Sequence, residues 1–269
     1  MLAKLSLSLL AIAVIGVGCS SQQPVAPDSS QAQTNADAST AVSRLDHHLF
    51  GHQVQMTFKV RIENVSTATT LHLSNGETAP APHSPGVWAI TGLWNPFFRV
   101  GQYDRGEGLE QQAEDGNPAV LAGNIVNDSR VKSSGAFTIP VGDSSPGPAT
   151  PGKAFEFMVT ASPGDHLSLT TMFGQSNDLF YSPGNIGIPL FQRRRIPTSG
   201  DVTRYFSLWD AGTEVNQEPG LGADQAPRQS APNTGESEHR RIMKVHDQYT
   251  YPRTSDVIKV TITPMDNVS

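Results

Sequence analysis

From residue 53 to residue 65 the chain alternates apolar and polar positions, with Val54, Met56, Phe58, Val60 and Ile62 set against Gln55, Thr57, Lys59 and Arg61. A period of two with one apolar side predicts a strand with one buried and one wetted face. The same pattern, or a short apolar run bounded by turn residues, predicts strands over 136–139, 153–161, 166–173, 186–191, 202–209, 241–245 and 256–263. In the last of these Ile258, Val260 and Ile262 alternate with Lys259, Thr261 and Thr263. Runs at 87–90 and 97–100 are shorter, lie among Gly and Pro, and read as strand or loop pieces near the core. Short helices are expected only in 108–125, where Leu109, Ala113, Val120, Leu121 and Ile125 are the apolar anchors and Pro118 restarts the chain. Glu110, Glu114 and Asp115 read as a solvated helix face, with a second acidic site as the alternative, and Trp88 and Trp94 as core, with carbohydrate stacking as the alternative.

About eight strands, one or two short helices and turn-rich connections predict a single all-β domain, an antiparallel β-sandwich over residues 51–265. The 24 Gly and 20 Pro among 269 residues agree with that, since they punctuate strands rather than extend helices. The formal net charge is −6, and the one dense basic cluster is Arg193-Arg194-Arg195 in a connecting turn. That balance gives no footing for nucleic-acid binding.

Residues 1–18 read as a signal peptide: Lys4, then the apolar run from Leu9 to Ile15, then small residues before Cys19. The apolar run is too short to span a bilayer. Cys19 is the only cysteine, so it has no partner for an intramolecular disulfide. Gly16-Val17-Gly18-Cys19 resembles a bacterial lipobox, which implies lipidation at Cys19 and anchoring of the exported chain to the outer membrane or cell surface. Residues 19–50 read as a tether, because the Ser, Gln, Ala, Pro, Asp and Thr of 20–44 offer too little apolar surface to offset the entropy of ordering. His47 and His48 near its end, and His52 just beyond it, read as a polar lead-in or as imidazoles for a transition metal.

Asp178 follows the apolar run 167–173 and its Gly-Gln-Ser-Asn break, while Asp210 and Glu214 flank the turn after the run 202–209. Were the two strands neighbours, three carboxylates would converge at one sheet end, and a hard cation would relieve their repulsion. Calcium suits such a place, since it takes six to eight oxygen ligands in loose geometry. By spacing alone the same residues also read as ordinary strand terminators.

Two of these segments, Ser176-Asn177-Asp178-Leu179-Phe180 and Leu208-Trp209-Asp210-Ala211-Gly212-Thr213-Glu214, resemble the main motifs of the spondin amino-terminal domain family. Ser84-Pro85-Gly86-Val87-Trp88, the acidic piece 108–116 and the continuation 216–235 are similar to its bacterial branch, in the same order. The resemblance implies a sandwich related to the calcium-binding sandwiches of synaptotagmin type, with calcium (Ca2+) held by Asp178, Asp210 and Glu214. Animal members carry Asp at the last of these positions, where this chain has Glu214.

The resemblance further implies a cell-surface adhesion or scaffolding module whose partner is an extracellular protein, glycan or lipid, rather than an enzyme. The alternative is a secreted hydrolase using Ser176, because Gly174-Gln175-Ser176-Asn177-Asp178 resembles a nucleophile elbow up to the last position, where Asp178 replaces Gly. No zinc-protease motif, phosphate loop or dinucleotide fingerprint occurs in the sequence.

Overall fold

The computed structural model describes residues 55–265. The signal peptide, Cys19, the tether and the histidines before residue 53 lie outside them. No helix among the described residues is long and apolar enough to cross a membrane.

The described chain is a sandwich of antiparallel sheets. Eight strands have five or more residues: β1 (Met56–Asn64), β4 (His83–Thr91), β5 (Ser133–Phe137), β6 (Ala154–Ala161), β7 (His166–Phe173), β8 (Leu179–Pro183), β11 (Phe206–Asp210) and β13 (Ile258–Met265). Five further strands have only two: β2 (Leu71–His72), β3 (Thr78–Ala79), β9 (Ile188–Pro189), β10 (Gly200–Asp201) and β12 (Met243–Lys244). One sheet runs β10-β13-β1-β6, and the larger runs β12-β11-β8-β7-β4-β5 with β9 beside β7. β2 and β3 form a separate hairpin.

β1 fulfils its alternation, with Phe58, Val60 and Ile62 buried and their neighbours half-exposed. It is central in its sheet, pairing Val60 with Ile262 of β13 on one side and with Phe157 of β6 on the other. The inner faces of the two sheets meet in a core that includes Phe58, Ile62, Phe155, Leu167, Leu169, Phe173, Tyr181 and Val260.

The larger sheet is covered on its outer face as well. Residues 92–131 fold back over it and carry helices α1 (Leu109–Glu114) and α2 (Ala119–Ile125), the place where the sequence allows them. Phe97, Phe98, Leu109, Ala113 and Leu121 from this layer pack on Val87, Ala89, Phe180 and Trp209 of the sheet to make a second core. Phe98 meets the Phe180 ring edge-on at 5.2 Å and the Trp209 ring at 5.3 Å. β7 and β8 are therefore buried along their whole length. A strand with two buried faces loses its alternation, which is why 179–183 carries no readable period.

Other expectations are corrected by this third layer and by the ends of the sheets. Residues 97–100, expected as a strand or loop piece near the core, are loop, held by their aromatic contacts rather than by a ladder. The strand expected at 202–209 begins with a 3-10 turn (Thr203–Tyr205), that at 186–191 shortens to β9, and that at 241–245 shortens to β12. A third short helix, α3 (Thr254–Val257), stands just before β13. Trp88 is partly buried and stacks on Phe157 at 5.5 Å, whereas Trp94 is not core: its ring lies under the guanidinium of Arg130 at 4.0 Å. Glu114 is buried rather than solvated, with 2% exposure, because the loop after β11 closes over the end of α1, with Thr213 and Glu214 beside Glu114 and Gln229 donating to Asp115. Arg193 and Arg195 are exposed in a 3-10 turn.

Candidate metal centre

The sequence places Asp178 next to Asp210 only if their strands adjoin, and the structure joins them by a route that differs from the expected one. β7 and β11 are not neighbours; β8 lies between them. Asp178 stands one residue before β8, and the ladder sets Leu179 of β8 opposite Asp210 at the end of β11. The Ala211 amide then donates to the Asp178 carbonyl at 3.2 Å, which fixes the two carboxylate-bearing residues side by side.

Each residue of the motif 176–178 has a distinct task. The Ser176 hydroxyl donates to the Phe173 carbonyl at 2.6 Å and accepts from the Leu179 amide at 3.2 Å, which shapes the turn from β7 into β8. Asn177 reaches across to the loop after β11, accepting from the Gln217 amide and donating to Glu214 Oε2. Asp178 points to the turn after β11, where one oxygen, Oδ2, accepts from the amides of Thr213 at 2.8 Å and Glu214 at 3.2 Å. Its other oxygen, Oδ1, is buried and has no hydrogen-bond partner.

Asp210 shapes its own turn. Oδ1 accepts from the Gly212 amide and Oδ2 from the Asn216 side-chain amide, each at 2.8 Å. Gly212 adopts φ 71°, and a Cβ there would stand 2.6 Å from the Arg240 carbonyl oxygen. Only glycine admits both the left-handed backbone and that close approach.

The approach matters because the chain returns here. After the long loop 216–235 it pairs again with 212–215 as a two-stranded ribbon: Val215 N–H to Glu236 O, Glu238 N–H to Thr213 O, and Arg240 N–H to Gly212 O. This pairing delivers Glu238. One carboxylate oxygen from each of Asp178, Asp210 and Glu238 lies within 4.8 Å of the others. Glu238 Oε1 and Asn216 Oδ1 are also buried without a partner.

Glu214 stands elsewhere. It is 1% exposed, and both its oxygens are engaged, Oε1 by the Gly235 amide at 2.8 Å and Oε2 by Asn177 at 3.2 Å. Its carboxylate ties Gly235, at the far end of the loop 216–235, to Asn177 of the turn before β8, and it is not in the triad. A side chain at position 235 would fall 2.3 Å from the Glu214 carboxyl carbon, so that clasp requires glycine there. Sequence reasoning missed Glu238, since nothing in Ser237-Glu238-His239-Arg240 marks it without knowledge of the returning ribbon.

The electrostatics follow from burial. Asp178 is 0% exposed and Asp210 6% exposed. Burial, and then the charge of Asp210, raise the Asp178 carboxyl well above the usual carboxylate range. Burial likewise raises Asp210, Glu238 and Glu214, partly offset at Asp210 by the Gly212 amide and at Glu238 by Arg240. Asp247 adds a further negative charge beside Asp210, while its Oδ2 accepts from the Tyr251 hydroxyl at 2.7 Å.

Three carboxylates held together, two of them with an unpartnered oxygen, form a site that can hold a metal ion. Its donors are all oxygen, the set that hard cations prefer, and it contains no imidazole or thiolate. A surface groove of ≈ 550 Å³, lined by Glu107, Asn124, Asp128 and Arg130 among others, includes none of the three carboxylates. Compared with known proteins, the chain matches no family model and no curated relative.

Proposed function

We propose that this chain is a calcium-binding extracellular module. It is exported, anchored by lipid at Cys19, and acts in adhesion or scaffolding through an extracellular protein, glycan or lipid. The observation that carries the calcium reading is the pair of buried, unpartnered oxygens, Asp178 Oδ1 and Glu238 Oε1, within the triad that Asp210 completes. An uncompensated buried carboxylate oxygen is costly, and a cation held there removes the cost. Calcium fits better than magnesium, because irregular loops supply carboxylate and amide oxygens without a tight octahedron.

The role of the ion is to fasten three segments: the turn before β8, the end of β11 and the returning ribbon. The burial of Asp178 and Asp210 favours a structural ion over one that bridges to a ligand. The adhesive role rests on the spondin-like motifs and the export signal. The hydrolase alternative has little support, since the Ser176 hydroxyl is spent on the turn between β7 and β8 and the residue is 2% exposed.

At an affinity of about 0.1 to 1 mM, common for extracellular modules, 1 mM free calcium would stabilise the fold by about 0.4 to 1.4 kcal/mol. Metal analysis of the purified chain, with melting curves in calcium and in chelator, tests this reading. Calcium raises the melting temperature if the reading holds, and leaves it unchanged if it does not. Mass spectrometry of the mature amino terminus tests the anchor: a diacyl or triacyl Cys19 supports it, and an unmodified Cys19 opposes it.

A further inference from the structure

The triad does not stand alone in its field. Arg240 lies at its mouth, with Nη1 3.5 Å from Glu238 Oε2, and its side chain is 58% exposed where that of Glu238 is 14% exposed. Its backbone is held at the base of the site by the 2.9 Å hydrogen bond to the Gly212 carbonyl, directly beside the turn that Asp210 shapes. Glu238 is thus divided between two directions: Oε2 faces Arg240, and Oε1 is turned to the buried side without a partner. The guanidinium acts on Asp210 as well as on Glu238, against the charges of Asp178, Asp210, Glu238 and Asp247.

We propose that Arg240 is the resident counter-cation of this site, and that a divalent cation entering it takes Glu238 over from Arg240. The inference rests on the reading of Asp178, Asp210 and Glu238 as a calcium site. A doubly charged ion among the carboxylates neutralises what Arg240 neutralises in its absence, and the two cations repel each other at short range. Arg240 is long, exposed and tied to Glu238 by one distant contact, so its head swings into water at small cost. Calcium affinity is therefore set by an exchange of cations. The ion, taken up at the free Oε1, repels Arg240 from Oε2 of the same carboxylate, and the fold without the ion is kept from splaying by that same arginine.

Calcium titration of the full chain, stripped with chelator, tests this by calorimetry and melting curves on wild type, Arg240→Gln and Arg240→Lys. An exposed ion pair is worth up to about 1 kcal/mol, so Arg240→Gln is expected to bind calcium about two- to five-fold more tightly. It should also melt below wild type in chelator and converge on it in saturating calcium. Arg240→Lys keeps the charge and stays near wild type. Equal or weaker calcium binding by Arg240→Gln overturns the exchange, because Arg240 would then be a bystander or a support for Glu238. If neither wild type nor Arg240→Gln binds calcium, the reading of the site itself fails instead.

Discussion

Leu179 stands opposite Asp210 in the ladder between β8 and β11, and this one register places the Asp178 carboxylate beside that of Asp210. A shift of one residue would turn the side chains of β8 to the wrong faces, taking Phe180 out of the second core and Tyr181 out of the first. The acidic site is therefore locked to the packing of both cores, and its repulsion is borne by the whole sandwich.

Asp178→Asn should stabilise the chain in chelator. The Asn carbonyl oxygen can keep the amide bonds of Thr213 and Glu214, and its NH2 would take the place of the unpartnered Oδ1 beside Asp210. A gain of about 1 to 2 kcal/mol near pH 7.5 is expected from removing a buried like charge. Urea unfolding in chelator measures it. The same variant should lose the stabilisation that calcium gives wild type.

Glu114 supplies a pH dependence of its own. Burial, with smaller effects of Glu214, Glu110 and Asp115, raises its carboxyl to about 7 despite the nearby Thr213. A raised folded value makes the stability contribution fullest below the unfolded value and lost as pH climbs through the folded one. Wild type in chelator should therefore weaken between pH 5 and pH 8, by about 1 to 2 kcal/mol from this group once residual solvent screening is allowed for. Glu114→Gln should flatten that part of the profile and exceed wild type at pH 8, which denaturant midpoints across the range would show.

Glu238→Gln and Glu214→Gln separate the two glutamates of the ribbon. Glu238→Gln removes a charge from the triad and should weaken calcium binding by about ten-fold, at little cost to the metal-free fold. Glu214→Gln sets an NH2 against either the Gly235 amide or the Asn177 amide, so one donor loses its acceptor. That costs about 1 to 3 kcal/mol of stability and leaves calcium affinity near wild type. Paired melting and calcium-binding curves on both variants check the assignment.

Sequence period carried the fold where a strand has one wet face, as β1 and β13 do. It failed at β8, whose Leu179-Phe180-Tyr181-Ser182-Pro183 is buried on both sides beneath the layer of α1 and α2. Asp178 and Asp210 were legible because each stands where a strand meets a turn, Asp178 just before β8 and Asp210 at the end of β11. Glu214 was legible as important, yet its part is the clasp with Asn177 and Gly235. Glu238 was not legible, because its place depends on a backbone pairing with Thr213 made across a long loop. Glu114 was misjudged because amphipathic pattern shows which face is apolar, and not which later segment will close over the other; Trp94 was misjudged because its size alone suggested core, whereas its ring packs under the Arg130 guanidinium.

The central claim is that Asp178, Asp210 and Glu238 hold one calcium ion, and calorimetric titration of calcium into the chelator-stripped chain tests it most directly. The expected result is one ion per chain in wild type and no binding in the double variant Asp178→Asn, Asp210→Asn. Absence of binding in wild type, or undiminished binding in the double variant, would contradict it.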